Sequence, residues 1–172
     1  MKTTRYALTV LLAVAAVAGV RAADAKAAPR TEVIFSHPEK FSDASDGPRG
    51  TDLRRDVNLG EIRDYLVDRA QRFVPAGDKL TVTITDVDLA GEVEPWHARA
   101  QDVRIIRDTY PPRIDLEFRL TDASGAVVKE GKRHLTDLNY TMNLNPFPND
   151  PRVYEKRLID DWLHNEFRKI QK

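Results

Sequence analysis

Asp78-Lys-Leu-Thr-Val-Thr-Ile-Thr-Asp-Val-Asp-Leu-Ala-Gly-Glu-Val-Glu-Pro95 is the stretch whose reading decides the fold. Leu80, Val82 and Ile84 alternate with Thr81, Thr83 and Thr85, the period of two that marks a strand with one buried face. After Thr85 the phase inverts. Val87 and Leu89 are apolar, and Asp86 and Asp88 take the positions that had pointed inward. A regular strand would drive two carboxylates into the core, which is costly without partners. One extra residue near Thr85–Asp86, a β-bulge, returns Val87 and Leu89 to the core and turns both Asp side chains out. The stretch therefore predicts a core strand with a bulge, running into the densest group of carboxylates in the chain.

Two further strands follow the same logic. Ile114, Leu116, Phe118 and Leu120 alternate with Arg113, Asp115, Glu117 and Arg119. Asp122-Ala-Ser-Gly125 supplies turn residues, and Ala126–Leu138 returns as the partner strand. Thr31–Ser36 is a short β-branched and aromatic run stopped by His37-Pro38, hence a first strand. Val103, Ile105 and Ile106 form another short run, and Tyr110-Pro-Pro112 breaks it. Two helices complete the list. Leu59, Ile62, Leu66, Ala70 and Phe73 recur at helical spacing, with Asn58 and Glu61 placed as a capping box and Lys40–Asp56 left as a loop. The last helix is expected to open on Asp150 as N-cap with Pro151 behind it. It carries two ridges, Tyr154/Leu158/Trp162 and Ile159/Leu163/Phe167/Ile170. The order of elements predicts an α+β fold, a two-layer sandwich of a mostly antiparallel sheet with two helices packed on one face.

The ends of the chain speak to compartment. Lys2 and Arg5 precede the uncharged run Ala7–Val20, and Val20-Arg-Ala22 carries small residues where a signal peptidase reads. The run falls short of the roughly 20 residues that span a bilayer. Residues 1–22 are therefore expected to be a cleaved signal peptide, 23–30 a flexible leader and 31–172 a single α+β domain, periplasmic or secreted and not an integral membrane protein. The chain has 27 basic and 27 acidic residues, and three of the basic ones lie in the signal, so the remainder is mildly acidic and a poor match for nucleic acid. There is no cysteine, which removes thiol chemistry, disulfides and Cys-ligated metal from consideration.

Three segments, Val33–Phe41, Thr85–Glu92 and Tyr154–Trp162, together resemble a bacterial family catalogued as domain of unknown function number 3016. Its members are exported proteins of proteobacteria, so the resemblance implies a cell-envelope location. It carries no activity and no functional residues over.

The chemistry-bearing residues were weighed on their own. Asp86, Asp88, Glu92 and Glu94 form a candidate divalent-cation site, with His97 beside them as a proton-responsive group. Against the EF-hand pattern, Asp86, Asp88 and Gly91 fit, but Ala90 and His97 stand where oxygen ligands are needed. Ion pairing with Arg99, Arg104, Arg107 or Arg113 accounts for the carboxylates as well. The four histidines, His37, His97, His134 and His164, show no zinc spacing. No nucleophile elbow and no phosphate loop is present. Trp96, Tyr110, Tyr140 and Phe147 are aromatic groups on loops, suited to an interface. The expectation is a non-catalytic binding or assembly module without a cofactor, its partner another envelope protein or a peptide. The alternative is a divalent-cation binder or carboxylate-based enzyme centred on Asp86, Asp88, Glu92, Glu94 and His97.

Overall fold

A computed structural model describes residues 30–45, 51–94, 96, 103–142 and 149–168. The expected signal segment and all but the last residue of the leader lie outside the described residues. Four strands form the main sheet: β1 (Thr31–Phe35), β2 (Lys79–Asp88), β5 (Arg113–Thr121) and β6 (Val127–Thr136), in the order β1-β2-β5-β6. Two short strands, β3 (Glu92–Val93) and β4 (Arg104–Ile105), pair with each other apart from it. The helices are α1 (Asp52–Ala70) and α2 (Val153–Phe167). β1 runs parallel to β2, while β2–β5 and β5–β6 are antiparallel. This is the α+β sandwich expected, with one face of the sheet uncovered by any described helix.

The bulge sits where the phase inversion places it. The β2–β5 register shifts between Ile84 and Asp86, so Ile84 faces Leu116 and Val87 faces Ile114. Val87 and Leu89 are buried, and Asp86 and Asp88 are not. The covered face of the sheet carries Leu80, Val82, Ile84, Val87, Ile114, Leu116, Phe118 and Leu120 against Leu59, Ile62 and Leu66 of α1 and Ile159, Trp162, Leu163 and Phe167 of α2. Phe118, Trp162 and Phe167 meet edge to face at centroid distances of 5.5–5.7 Å, a geometry that aligns ring edges with ring faces.

The expected starts of both helices are corrected. α1 begins at Asp52, inside the stretch read as a loop, with Thr51 in extended conformation accepting from Arg54 N–H at 3.3 Å. Asn58 is no cap. It is buried mid-helix and donates to Ala44 O at 3.0 Å, tying the preceding segment to the helix. Periodicity missed the first two turns because their apolar residues, Leu53 and Val57, are exposed. α2 opens after Arg152 rather than Asp150. The Asp150 carboxylate accepts from Arg152 N–H (2.9 Å) and from Lys156 Nζ (2.7 Å), holding the entry turn. Arg30, the last residue of the expected leader, is docked: it donates to Val74 O (2.7 Å) and Gln71 O (3.2 Å) at the end of α1.

Candidate functional site

The bulge and the turn that follows β2 bring the polar candidates to one end of the sheet, but each is engaged separately. Asp86 accepts from both the N–H and the hydroxyl of Ser42, each at 2.7 Å. Asp88 is gripped by Arg113, the residue opposite it on β5, through Nε at 3.0 Å and through Nη2. Glu92 accepts at 3.1 Å from the N–H of Val93. Glu94 is wholly buried and meets Arg107 Nη1 at 2.9 Å and the Tyr110 hydroxyl at 3.2 Å. Burial, and then this hydrogen bond, raise the Tyr110 pKa above the ordinary phenol value. Among the described residues no group of three or more Asp, Glu or His is placed to hold a metal ion.

Three groups organise this end: Arg104, named from sequence as an ion-pair partner, and Asp43 and Glu155, which sequence reading did not mark. Arg104 on β4 donates to Gly91 O at 2.6 Å and to Asp43 Oδ2 at 2.7 Å, and so clasps the turn from outside. Asp43 itself extends the ladder: its N–H donates to Val87 O and its carbonyl accepts from Leu89 N–H. Burial raises the Asp43 pKa; Arg104 opposes the shift, and Glu92 and Asp88 add to it. From inside, Glu155 on the first turn of α2 accepts from Ala90 N–H at 2.7 Å. Glu155 is fully buried, its second oxygen has no hydrogen-bond partner, and burial raises its pKa against the opposing effects of Ala90 N–H, Arg152 and Arg104. Gly91 closes the turn with φ +78°, and a Cβ there would lie 2.6 Å from Ile105 O. Asp43 lies 46 residues before Leu89 and Glu155 lies 65 after Ala90, separations no local spacing reports; a charged residue on an apolar helix ridge, as Glu155 is, was the one readable signal.

The aromatic candidates part company. Trp96 is 70% exposed. Tyr110 is half-buried. Tyr140, read as a loop anchor, is buried instead: its ring packs edge-on against Tyr154 at 4.8 Å and its hydroxyl donates to Arg107 O at 2.5 Å. It completes the rim of the core because an aromatic ring gains more from burial than from exposure once its hydroxyl finds an acceptor. His97 and Phe147 lie outside the described residues.

On the open face, charges pair across strands: Asp115 with His134 (2.5 Å), Glu117 with Lys132 (2.5 Å) and Arg119 with Glu130 (3.0 Å). Opposite charges facing each other across antiparallel strands stabilise the pairing modestly and keep the face hydrated. No described helix is long and apolar enough to cross a membrane.

Comparison with known proteins returns one family. The family model described as "Protein of unknown function (DUF3016)" matches residues 29–165. No curated protein and no solved structure matches the chain.

Proposed function

The chain belongs to the DUF3016 family of proteins of unknown function, and on that premise we propose that it is an exported cell-envelope protein, a non-catalytic binding or assembly module of the periplasm. The observation that carries the non-catalytic part is the way the carboxylates are spent. Asp86 is held by Ser42, Asp88 by Arg113, Glu94 by Arg107 and Tyr110, and Asp43 by Arg104. A hard cation needs six or more oxygens free to converge, and a general acid or base needs an approachable proton; here the same oxygens hold strands and turns together. Export is supported by the basic start, apolar run and small-residue site of residues 1–22.

Melting the protein with calcium, with zinc and with EDTA tests the reading against a cation site. The midpoint is expected to stay constant; a clear rise with one cation would overturn it in favour of the alternative centred on Asp86, Asp88, Glu92, Glu94 and His97. Crosslinking the protein in intact cells, followed by fractionation, tests the rest. Recovery of the chain from the periplasm in a specific crosslinked adduct is expected, and retention in the cytoplasm would defeat it.

A further inference from the structure

We infer that the outer edge of β1, which no described strand pairs, with the groove between it and α1, is a docking site for an extended peptide segment of a partner protein, apolar at alternate positions and carrying a basic side chain. This deepens the binding-module reading and rests on it.

The two edges of the sheet are built differently. β6 is guarded: Lys129 and Arg133 point from the edge strand onto Glu166 of α2 (2.6 and 2.7 Å), and Glu130, Lys132 and His134 line its other face. Inward-pointing charges and lysines on an edge are the devices that prevent a further strand from pairing. β1 carries none of them. Its single charge, Glu32, is tied to Lys79 on the open face at 2.8 Å, and Ile34 beside it is 43% exposed.

The backbone of β1 is also set for pairing. Leu80 N–H donates to Arg30 O, and Ser36 N–H donates to Ile84 O, both at 2.9 Å. With Thr31 opposite Leu80 in a parallel ladder, the even-numbered residues bond to β2, so the odd-numbered ones turn their N–H and C=O groups away from the sheet; Thr31 is itself buried, which leaves Val33 and Phe35 as the pairing positions. Among the described residues nothing accepts or donates to them. A groove of about 770 Å³ runs beside this edge, lined by Val33 and, from α1, Arg63, Asp64, Val67, Asp68 and Gln71. Strand addition at such an edge gives affinity through main-chain hydrogen bonds and selectivity through the side chains of alternate positions. Those positions would meet Val33 and Val67. The charges of the lining are matched except one: Arg63 pairs with Asp64 and Lys79 with Glu32, whereas Asp68 enters no ion pair among the described residues. A basic side chain on the ligand answers it.

A peptide fits this edge better than a second copy of the chain does. Five residues span about 17 Å. Two copies joined through so short an edge, even counting the ~10 Å helix layer, would bury on the order of 700 Å² in total, less than the ~1,000 Å² of a stable interface. A peptide lying in the groove is covered by helix and strand at once.

The test uses the acetylated, amidated peptide Lys-Val-Thr-Val-Thr-Val as probe, with a version carrying proline at the central position as control, followed by amide NMR of the protein. Saturable shifts are expected at the amides of Val33 and Phe35 and at the Val67 methyls, with the proline peptide inert. Val33→Pro removes an outward N–H, together with a side chain that packs on the core, and is expected to abolish binding. Val67→Arg, on the helix wall, keeps the edge intact and is expected to do the same, so a folding defect in the first variant does not decide the matter. Asp68→Asn is expected to weaken binding about threefold. Shifts confined to β6, no shift at roughly millimolar peptide, or concentration-dependent protection of the Val33 amide in the protein alone would each overturn the proposal. The last would assign the edge to a second copy. None of these outcomes touches the envelope adduct sought above, so the edge can fail while the binding-module reading stands.

Discussion

Glu155 is a buried carboxyl whose environment ties stability to pH. Its carboxyl has one hydrogen bond, from Ala90 N–H, and a second oxygen with no hydrogen-bond partner. Burial raises its pKa in the folded chain above the unfolded value. A group shifted in that direction contributes stability at low pH, and the contribution is lost as pH rises through the folded pKa. Glu155→Gln keeps the acceptor for Ala90 and removes the buried charge. We predict that it raises the melting temperature at neutral pH by roughly 3 °C, equivalent to about 1 kcal/mol, and flattens the decline of stability from acid to neutral pH. Melting curves across that range check it; a lower midpoint with the slope intact would sink the idea. Glu166 runs the other way. Burial would raise its pKa, but hydrogen bonds from Arg133 and Lys129 outweigh it and the net shift is downward. Its stabilisation is present above the unfolded pKa and is lost as pH falls through the folded one. Glu166→Gln is expected to cost about 1–2 kcal/mol at pH 7 and nearly nothing once pH is below both values, as urea titrations at the two conditions would show.

At the scale of elements, the turn Leu89–Gly91 holds β3 and β4 against the end of the sheet. Gly91 is the position with least tolerance. A side chain there is strained at φ +78° and would press on Ile105 O at 2.6 Å and Ile106 Cδ1 at 2.8 Å; the first is backbone and cannot swing aside. Gly91→Ala is predicted to destabilise by about 2–4 kcal/mol, measured by urea unfolding. A loss below half a kcal/mol would mean that the β3–β4 pair is not docked as described. α1 offers a cleaner contrast between two readings of one helix. With Thr51 as cap, Thr51→Ala should cost about 1 kcal/mol. If Asn58 capped the helix instead, residues 52–57 would exchange their amide hydrogens freely in the intact protein; hydrogen exchange is expected to show them protected from Arg55 onward, whose N–H donates to Thr51 O at 3.2 Å.

For the whole molecule, stability rests on one seam, where Phe118 of β5 meets Trp162 and Phe167 of α2. Phe118→Ala empties the middle of that seam and is predicted to cost about 3–5 kcal/mol, read from thermal or urea unfolding. The side-chain faces of this molecule were legible in the chain itself. Alternation in Leu80–Ile84 and Ile114–Leu120, the inversion at Thr85–Asp86 and the ridges of α2 each report which side of an element is apolar, and that is a local property of the sequence. Fold class followed from the same patterns, and the family from the resemblance of three segments. What covers each face was settled only by tertiary contacts. Nothing in Thr31–Phe35 says that it runs parallel to β2, because the pairing joins segments about fifty residues apart and both faces of so short a run look alike. The opening turns of α1 hid behind exposed Leu53 and Val57, and Tyr140 entered the core because Tyr154 and Arg107 O met it there. The fate of the carboxylates after Leu89 belongs to the same class: whether dense charge binds a cation or bonds to Ser42, Arg113 and Arg107 depends on where distant partners stand. Sequence period decides which side chains turn inward; only the folded chain decides what they meet.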